Sequence, residues 1–206
     1  MENQKYYGQF QTDKHISEFF PKGYIGNCME IGACDGVFVS NTLIFEQQGW
    51  NCICVEPNKE YYKSLSKNRK CTVNCACGLE NKNDVDFTIF DLHGGNQSAI
   101  SSLKIDERLV DSHTHLISNS FTEKVNIRTI DEILKQFPLI ISLDFLSIDT
   151  EGTELDVLQG FDIDKWKPKL FVIENNFNDP QITEYLSVFG YKKVKRIEVN
   201  DFYIPN

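Results

Sequence analysis

The chain has 206 residues, 41% of them hydrophobic and 25% charged, enough for a single domain with a proper three-layer core. Its net charge of −9 argues against nucleic acid as the main partner, because that affinity rests on Lys and Arg contacts to phosphates. No apolar run approaches the roughly 18 residues needed to span a bilayer. Met1 to Tyr7 also lacks the basic-then-apolar layout of a leader, so a cytoplasmic protein with no membrane span is expected.

Residues 1–25 read as a helical lead-in, with Thr12 as cap, Ile16, Phe19 and Phe20 as the apolar stripe, and Pro21 and Gly23 as the stop. Cys28 to Ile31 is a short buried strand. Gly32 and Gly36 follow at a tight turn, and the apolar run from Val37 to Phe45 has helical length and stops near Gly49. Such a unit brings backbone N–H groups and a helix N-terminus to one spot, which suits a polar ligand. The spacing Glu-x-Gly-x-x-x-Gly departs from the dinucleotide fingerprint, because Cys34 stands where a pyrophosphate needs glycine. A carboxylate at Glu30, just ahead of the first glycine, suits a ligand with a cationic amino group, such as S-adenosylmethionine (SAM).

Cys52 to Val55 is a second buried strand, tipped by Glu56, Pro57 and Asn58, 20 residues after Gly36. At that distance a βαβ unit places an acid that can take both ribose hydroxyls, with Asn58 flanking an adenine. Glu56 is equally well placed as a helix N-terminal acid, and the two roles are compatible. Tyr61, Tyr62 and Leu65 form a helix stripe, Cys71 to Ala76 is a third strand, and Val85 to Phe90 alternates as a further one. Residues 91–122 lack periodicity. They carry His93, Gly94, Gly95, Ser98, Ser101, Ser102, His113, His115 and Ser118, and read as an insertion on the acceptor side.

Regularity resumes at Val125. A capping box at Thr129 to Glu132 opens a helix through Gln136, and Phe145 to Asp149 is a buried strand with Asp149 at its end. Thr153 to Gln159 is a helix closed by Gly160. Leu170 to Glu174 is a buried strand followed by Asn175 and Asn176, and Asp179 and Pro180 open a helix with stripe Ile182, Leu186 and Phe189. Two last strands, Tyr191 to Ile197 and Val199 to Ile204, stand without a helix between them. Alternation of this kind means a mainly parallel, helix-covered sheet with a closing antiparallel hairpin. The basic run Lys192 to Arg196 fits a solvated face of that hairpin. Seven cysteines, without the spacing or histidine partners of a zinc site, read as reduced thiols.

Ligands of open α/β sheets bind beyond the carboxyl ends of the strands. Those ends carry Glu30, Glu56, Asn74, Asp149 with Glu151, and Glu174 with Asn175. Five carboxylates and two amides at one edge would repel without partners. SAM would satisfy two, and Asp149, Glu174 and Asn175 have the hard-oxygen composition suited to Mg²⁺ or Mn²⁺. Asp149 and Glu151 can equally serve as helix caps, and Glu174 and Asn175 as a turn. Glu151 or a histidine of the insertion, His115 in first place, would take a proton from a hydroxyl.

These residues resemble the FkbM family of SAM-dependent methyltransferases. The similarity lies in Met29 to Gly36 with Ser40 to Thr42, Cys54 to Asn58, Leu146 to Gly160, Val172 to Asn176, and Gly190 through Tyr203. Its most specific element is Asp149-x-Glu151-Gly152-x-Glu154, and Tyr7 to Gln9 with Asp13 and Lys14 is similar to the lead-in of one branch. The resemblance implies a class I SAM-methyltransferase fold (a Rossmann-like three-layer sandwich with a seven-stranded sheet) and O-methylation of a sugar or secondary-metabolite hydroxyl. It implies that Glu30, Gly32 and Gly36 hold the methionine part and Glu56 the ribose, with Asn74, Cys75 and Ala76 near the adenine; Ala33, Asp35, Pro57 and Asn58 complete the expected donor site. Asp149 with Glu174 and Asn175 is also similar to the metal site of catechol-type O-methyltransferases, with Glu174 in place of an Asp. A SAM-binding scaffold without turnover remains an alternative. An NAD-dependent oxidoreductase is disfavoured by Cys34 and by the terminal strand pair.

Overall fold

A computed structural model describes residues 4–93, 101–104 and 106–206. A 3-10 turn, Gln9–Gln11, leads into helix α1, Thr12–Ser17. The parallel half follows as β1 (Asn27–Ile31), α2 (Leu43–Gln47), β2 (Asn51–Val55), α3 (Lys59–Asn68) and β3 (Cys71–Val73). Next come β4 (Ala76–Cys77), β5 (Lys82–Leu92), α4 (Glu107–His113) and β6 (Ile117–Arg128). The chain then runs through α5 (Ile130–Leu134), β7 (Phe145–Ile148), α6 (Glu154–Gln159), α7 (Ile163–Trp166), β8 (Leu170–Glu174), α8 (Gln181–Val188), β9 (Tyr191–Ile197) and β10 (Asn200–Pro205).

Seven strands form one sheet in the order β3-β2-β1-β7-β8-β10-β9. Pairing is parallel from β3 to β8, and β10 is antiparallel to both β8 and β9. This is the α/β architecture of the class I SAM methyltransferases, with its closing hairpin. The central strands read as continuous apolar runs because both faces are covered. One face packs Met29, Ile53, Leu146 and Phe171 against Ile133, Val157, Leu158 and Leu186 of the helices. The other carries an aromatic cluster of Phe20, Tyr24, Phe45, Trp50 and Phe145 with ring centroids 4.9–5.9 Å apart. Each such pair adds about 0.5–1.5 kcal/mol beyond area burial.

Several expected elements change. Thr12 is the first residue of α1 rather than its cap; its hydroxyl donates to the Gln9 carbonyl at 2.6 Å. The run from Val37 to Phe45 is helical only from Leu43, because residues 37–42 are tied into the turn. Cys71 to Ala76 divides between two sheets: β3 joins the large one, while β4 joins a three-stranded sheet of order β4-β6-β5. The described residues of the expected insertion form regular elements. β5 and β6 form a long antiparallel ladder from Val85↔Val125 to Leu92↔Ile117, and Ser102 returns to pair with Thr88. Gly94, Gly95 and Ser98 lie outside the described residues. Among those described, no helix is long and apolar enough to cross a membrane.

Candidate active site

A cleft of about 430 Å³ runs along the carboxyl ends of β2, β1, β7 and β8. It is lined by Glu30, Gly32, Glu56, Pro57, Asn58 and Ala76, and by Asp149, Glu151 and Glu174. Gly32 has φ +83°, and a Cβ there would stand 1.8 Å from the Asp149 carbonyl oxygen. Only glycine lets β1 and β7 approach at this point.

The turn after β1 spends its own donors. Gly32 and Ala33 N–H donate to the Val55 carbonyl, Cys34 N–H to Glu56 Oε2, and Val37 and Phe38 N–H to Asp35 Oδ1. The expected cradle of free N–H groups at a helix N-terminus is therefore not formed, since α2 begins seven residues beyond Gly36.

Glu30 is likewise committed. Its carboxylate, 3% exposed, accepts from Ser40 Oγ, Asn41 N and Thr42 Oγ1 and lies 3.5 Å from Arg69 Nη1. Arg69 also pairs with Glu46 at 3.2 Å and donates to Gly36 O, Ser40 Oγ and Thr42 Oγ1. This buried ion network fixes the turn from beneath. Arg69 escapes sequence reasoning because its partners lie 23 to 39 positions upstream.

Glu56 differs although it is one strand away. It accepts from Asn58 N at 2.8 Å and Cys34 N at 2.9 Å, and burial pushes its pKa up to about 8 against the lowering effect of those bonds. Asn58 caps α3 by accepting from Glu60 N and Tyr61 N. Asn74 is exposed, and its amide donates to the carbonyls of Glu56 and Pro57.

At the far end Asp149, Glu151 and Glu174 bring carboxylate oxygens within 4.8 Å of one another. Burial, together with the charges of Glu154 and Glu30, pushes Asp149 up to about 7 against a hydrogen bond with Glu174 that lowers it. Burial and the neighbouring acids also raise Glu151 and Glu174 well above the usual carboxylate range. Among the described residues, Glu151 Oε2 and Glu174 Oε2 are buried without a hydrogen-bond partner. Glu154 shapes the loop that holds this group: its Oε1 accepts from Thr150 N, Thr150 Oγ1 and Gly152 N, and Glu151 sits at φ +57°. The spacing Asp149-x-Glu151-Gly152-x-Glu154 is thus two projecting acids and the acid that positions them.

Two expected members are placed elsewhere. Asn175 does not join the cluster; its amide donates to Asp179 O and Asp201 Oδ2 and accepts from Asp179 N. Successive side chains at a strand end point to opposite faces, so Glu174 and Asn175 diverge. Glu151 takes its place. His115 is exposed beyond the end of α4 and does not line the cleft. His113 does, one turn after Leu109, with Nδ1 3.0 Å from the Leu109 carbonyl oxygen. Ala33, Asp35, Gly36, Asn74 and Cys75 support the cleft without lining it, whereas Gln9, Phe10, Tyr61 and Phe87 line it without having been expected.

Residues 30–193 match the family model described as the methyltransferase FkbM domain. The chain belongs to the FkbM methyltransferase family. A crystal structure of methyltransferase FkbM from Methylobacillus flagellatus KT is similar with a TM-score of 0.52 at 16% identity, over 88% of this chain and 44% of that one. The FkbM chain described here thus spans less than half the length of that protein. A METTL16 MTase domain is similar with a TM-score of 0.51 at 9% identity, over 94% of this chain and 65% of that one. At such identities these likenesses concern the fold alone. No curated protein sequence matches the chain significantly.

Proposed function

We propose that this FkbM-family protein is a SAM-dependent O-methyltransferase whose acceptor is a sugar hydroxyl of a glycan or glycoconjugate. The observation that carries the reading is the row of strand tips, in which Glu56, Gly32, Asp149 and Glu174 stand in sheet order along one cleft. Neighbouring strands lie about 4.8 Å apart, so two steps from Glu56 to Asp149 cover about 10 Å, a span that suits a nucleoside bearing an amino-acid tail. Glu56 is placed to accept from ribose hydroxyls, and Gly32 lets the donor lie close to the main chain. When bound, SAM supplies an electrophilic methyl group on a sulfonium.

The chain's own task is to align an acceptor oxygen and receive its proton. Alignment alone supplies up to about 7–11 kcal/mol in well-oriented model reactions. Without a cation, the raised pKa of Asp149, about 7, matches proton transfer near neutrality; with a cation held by the acids, His113, which also lines the cleft, is the group left to take the proton. The same three carboxylates fit a divalent ion, since they offer hard oxygens and two buried carboxylate oxygens lack partners. Asp149, Glu151 and Glu174 would hold Mg²⁺ or Mn²⁺, which would supply positive charge beside the acceptor oxygen.

The test is calorimetry with SAM and its demethylated product, followed by transfer of a labelled methyl group to a panel of sugars with and without chelator. Donor binding with labelled sugar is the expected result. Binding without transfer to any hydroxyl would favour a scaffold, and no donor binding would end the proposal.

A further inference from the structure

A second cavity, of about 460 Å³, adjoins the cleft; the two share Leu109, Glu174 and Asn176 as a common wall. We infer that this outer cavity receives the acceptor, and that it takes an uncharged or aminated sugar and rejects a carboxylated one. The inference rests on the methyl-transfer reading of the cleft and adds to it the acceptor's location and charge class.

Location follows from the shared wall. Glu174 is 6% exposed, its Oε2 has no partner, and it faces both spaces, so a group in the outer cavity meets the acidic cluster that ends the donor cleft. Helix α4 and the residues just before it form the partition: Leu109 lines both spaces, His113 the cleft, and Lys104, Asp106, Glu107 and Arg108 the outer cavity. Charge class follows from the outer wall. Among the described residues that line it, Asp106, Glu107, Glu154 and Asp179 face two cations, Lys104 and Arg108, with the buried Glu174 behind them. Arg108 is already committed, with Nη2 2.8 Å from Asp106 Oδ2 and 2.9 Å from Asp179 Oδ2, and its Nη1 reaches Asp179 Oδ1 at 3.2 Å. An anionic acceptor would therefore enter a negative field, whereas an ammonium group would be drawn in. Even a divalent cation on the cluster would leave the outer wall with more acids than bases. Phe177 supplies the apolar contact. It is 39% exposed on the cavity wall, with the Arg108 guanidinium 4.1 Å from its ring centroid. Arg108 covers one face of that ring, and the aromatic surface left exposed beside carboxylates matches a sugar, which has apolar C–H faces and a rim of hydroxyl donors.

The experiment is saturation-transfer NMR on the whole chain loaded with the demethylated donor, using glucosamine, glucose and glucuronate as probes. Glucosamine should bind best and glucuronate at least tenfold more weakly, with the gap closing to within about threefold in 0.5 M NaCl. Phe177→Ala should weaken glucosamine at least fivefold while the Kd of the demethylated donor stays unchanged. Glucuronate binding as tightly as glucosamine, an unaffected Phe177→Ala variant, or no sugar bound to the loaded protein would each overturn the inference and leave the donor reading standing. Failure of the demethylated donor itself to bind would overturn both.

Discussion

Two buried acidic centres lie within one strand of each other and are built on opposite principles. Beneath the first turn, Glu30 and Glu46 face Arg69, and the oxygens of Glu30 are consumed by Ser40, Asn41 and Thr42. At the tips of β7 and β8, Asp149, Glu151 and Glu174 converge with no cation in the group, and two of their oxygens are unpartnered. The first arrangement is complete without a ligand and serves the fold. The second is left uncompensated, and burial there pushes the acids toward their protonated forms unless a cation or other partner offsets the cost of their charge. Composition alone does not distinguish them; the presence or absence of an arginine does.

The largest effect should come from breaking the compensated centre. Arg69→Met leaves Glu30 and Glu46 buried without a counter-charge and should cost about 3–5 kcal/mol, read from urea denaturation. Gly32→Ala forces a Cβ onto the Asp149 carbonyl at positive φ and should cost about 2–4 kcal/mol by the same measurement. At the uncompensated centre the sign should reverse. Asp149→Asn should lower methyl transfer about 100-fold or more, from the scale of other lost electrostatic groups, with donor affinity within about threefold of wild type. The same variant in chelator should be more stable than wild type by about 1 kcal/mol, since it removes mutual repulsion. Loss of stability there would place Asp149 among the structural acids.

The last effect concerns pH. The folded pKa of Glu56 is raised to about 8, so the empty protein holds a proton there that the unfolded chain releases near 4.5. Its contribution to stability therefore falls as pH rises from about 4.5 to about 8, by at most about 1.4 kcal/mol per pH unit. Hydroxyl donors favour the carboxylate, so donor affinity should rise with pH up to about 8 and then level. Calorimetry in buffers of different ionisation enthalpy should detect the released proton, and Glu56→Gln should abolish both signals. A pH-independent affinity in the unaltered protein would remove Glu56 from the donor site.

Sequence reading recovers what is local. β2, β7 and β8 are apolar runs tipped by an acid, and the cap Thr129 lies where its capping box puts it, whereas Asn58, expected beside an adenine, also caps α3. What it misses is non-local or depends on direction. Arg69 looks like an ordinary helix-end cation until the turn 30 residues earlier folds over it. Asn175 is one residue from Glu174, and the pleat separates them. Strand β6 carries Phe121, Glu123, Val125 and Ile127 in alternation, a weak signal among serines and asparagines because only one face of the ladder is covered. His113 and His115 look equivalent as letters, and only the helical period from Leu109 separates them.

The β5–β6 ladder pairs with itself from Val85↔Val125 outward, and its free end at Leu92↔Ile117 makes no pairing with the seven-stranded sheet. Length can therefore be gained or lost at that end without disturbing the register of β1, β2, β7 or β8. Such a ladder is a visor on a fixed frame: its outer reach is set apart from the strand tips that line the cleft.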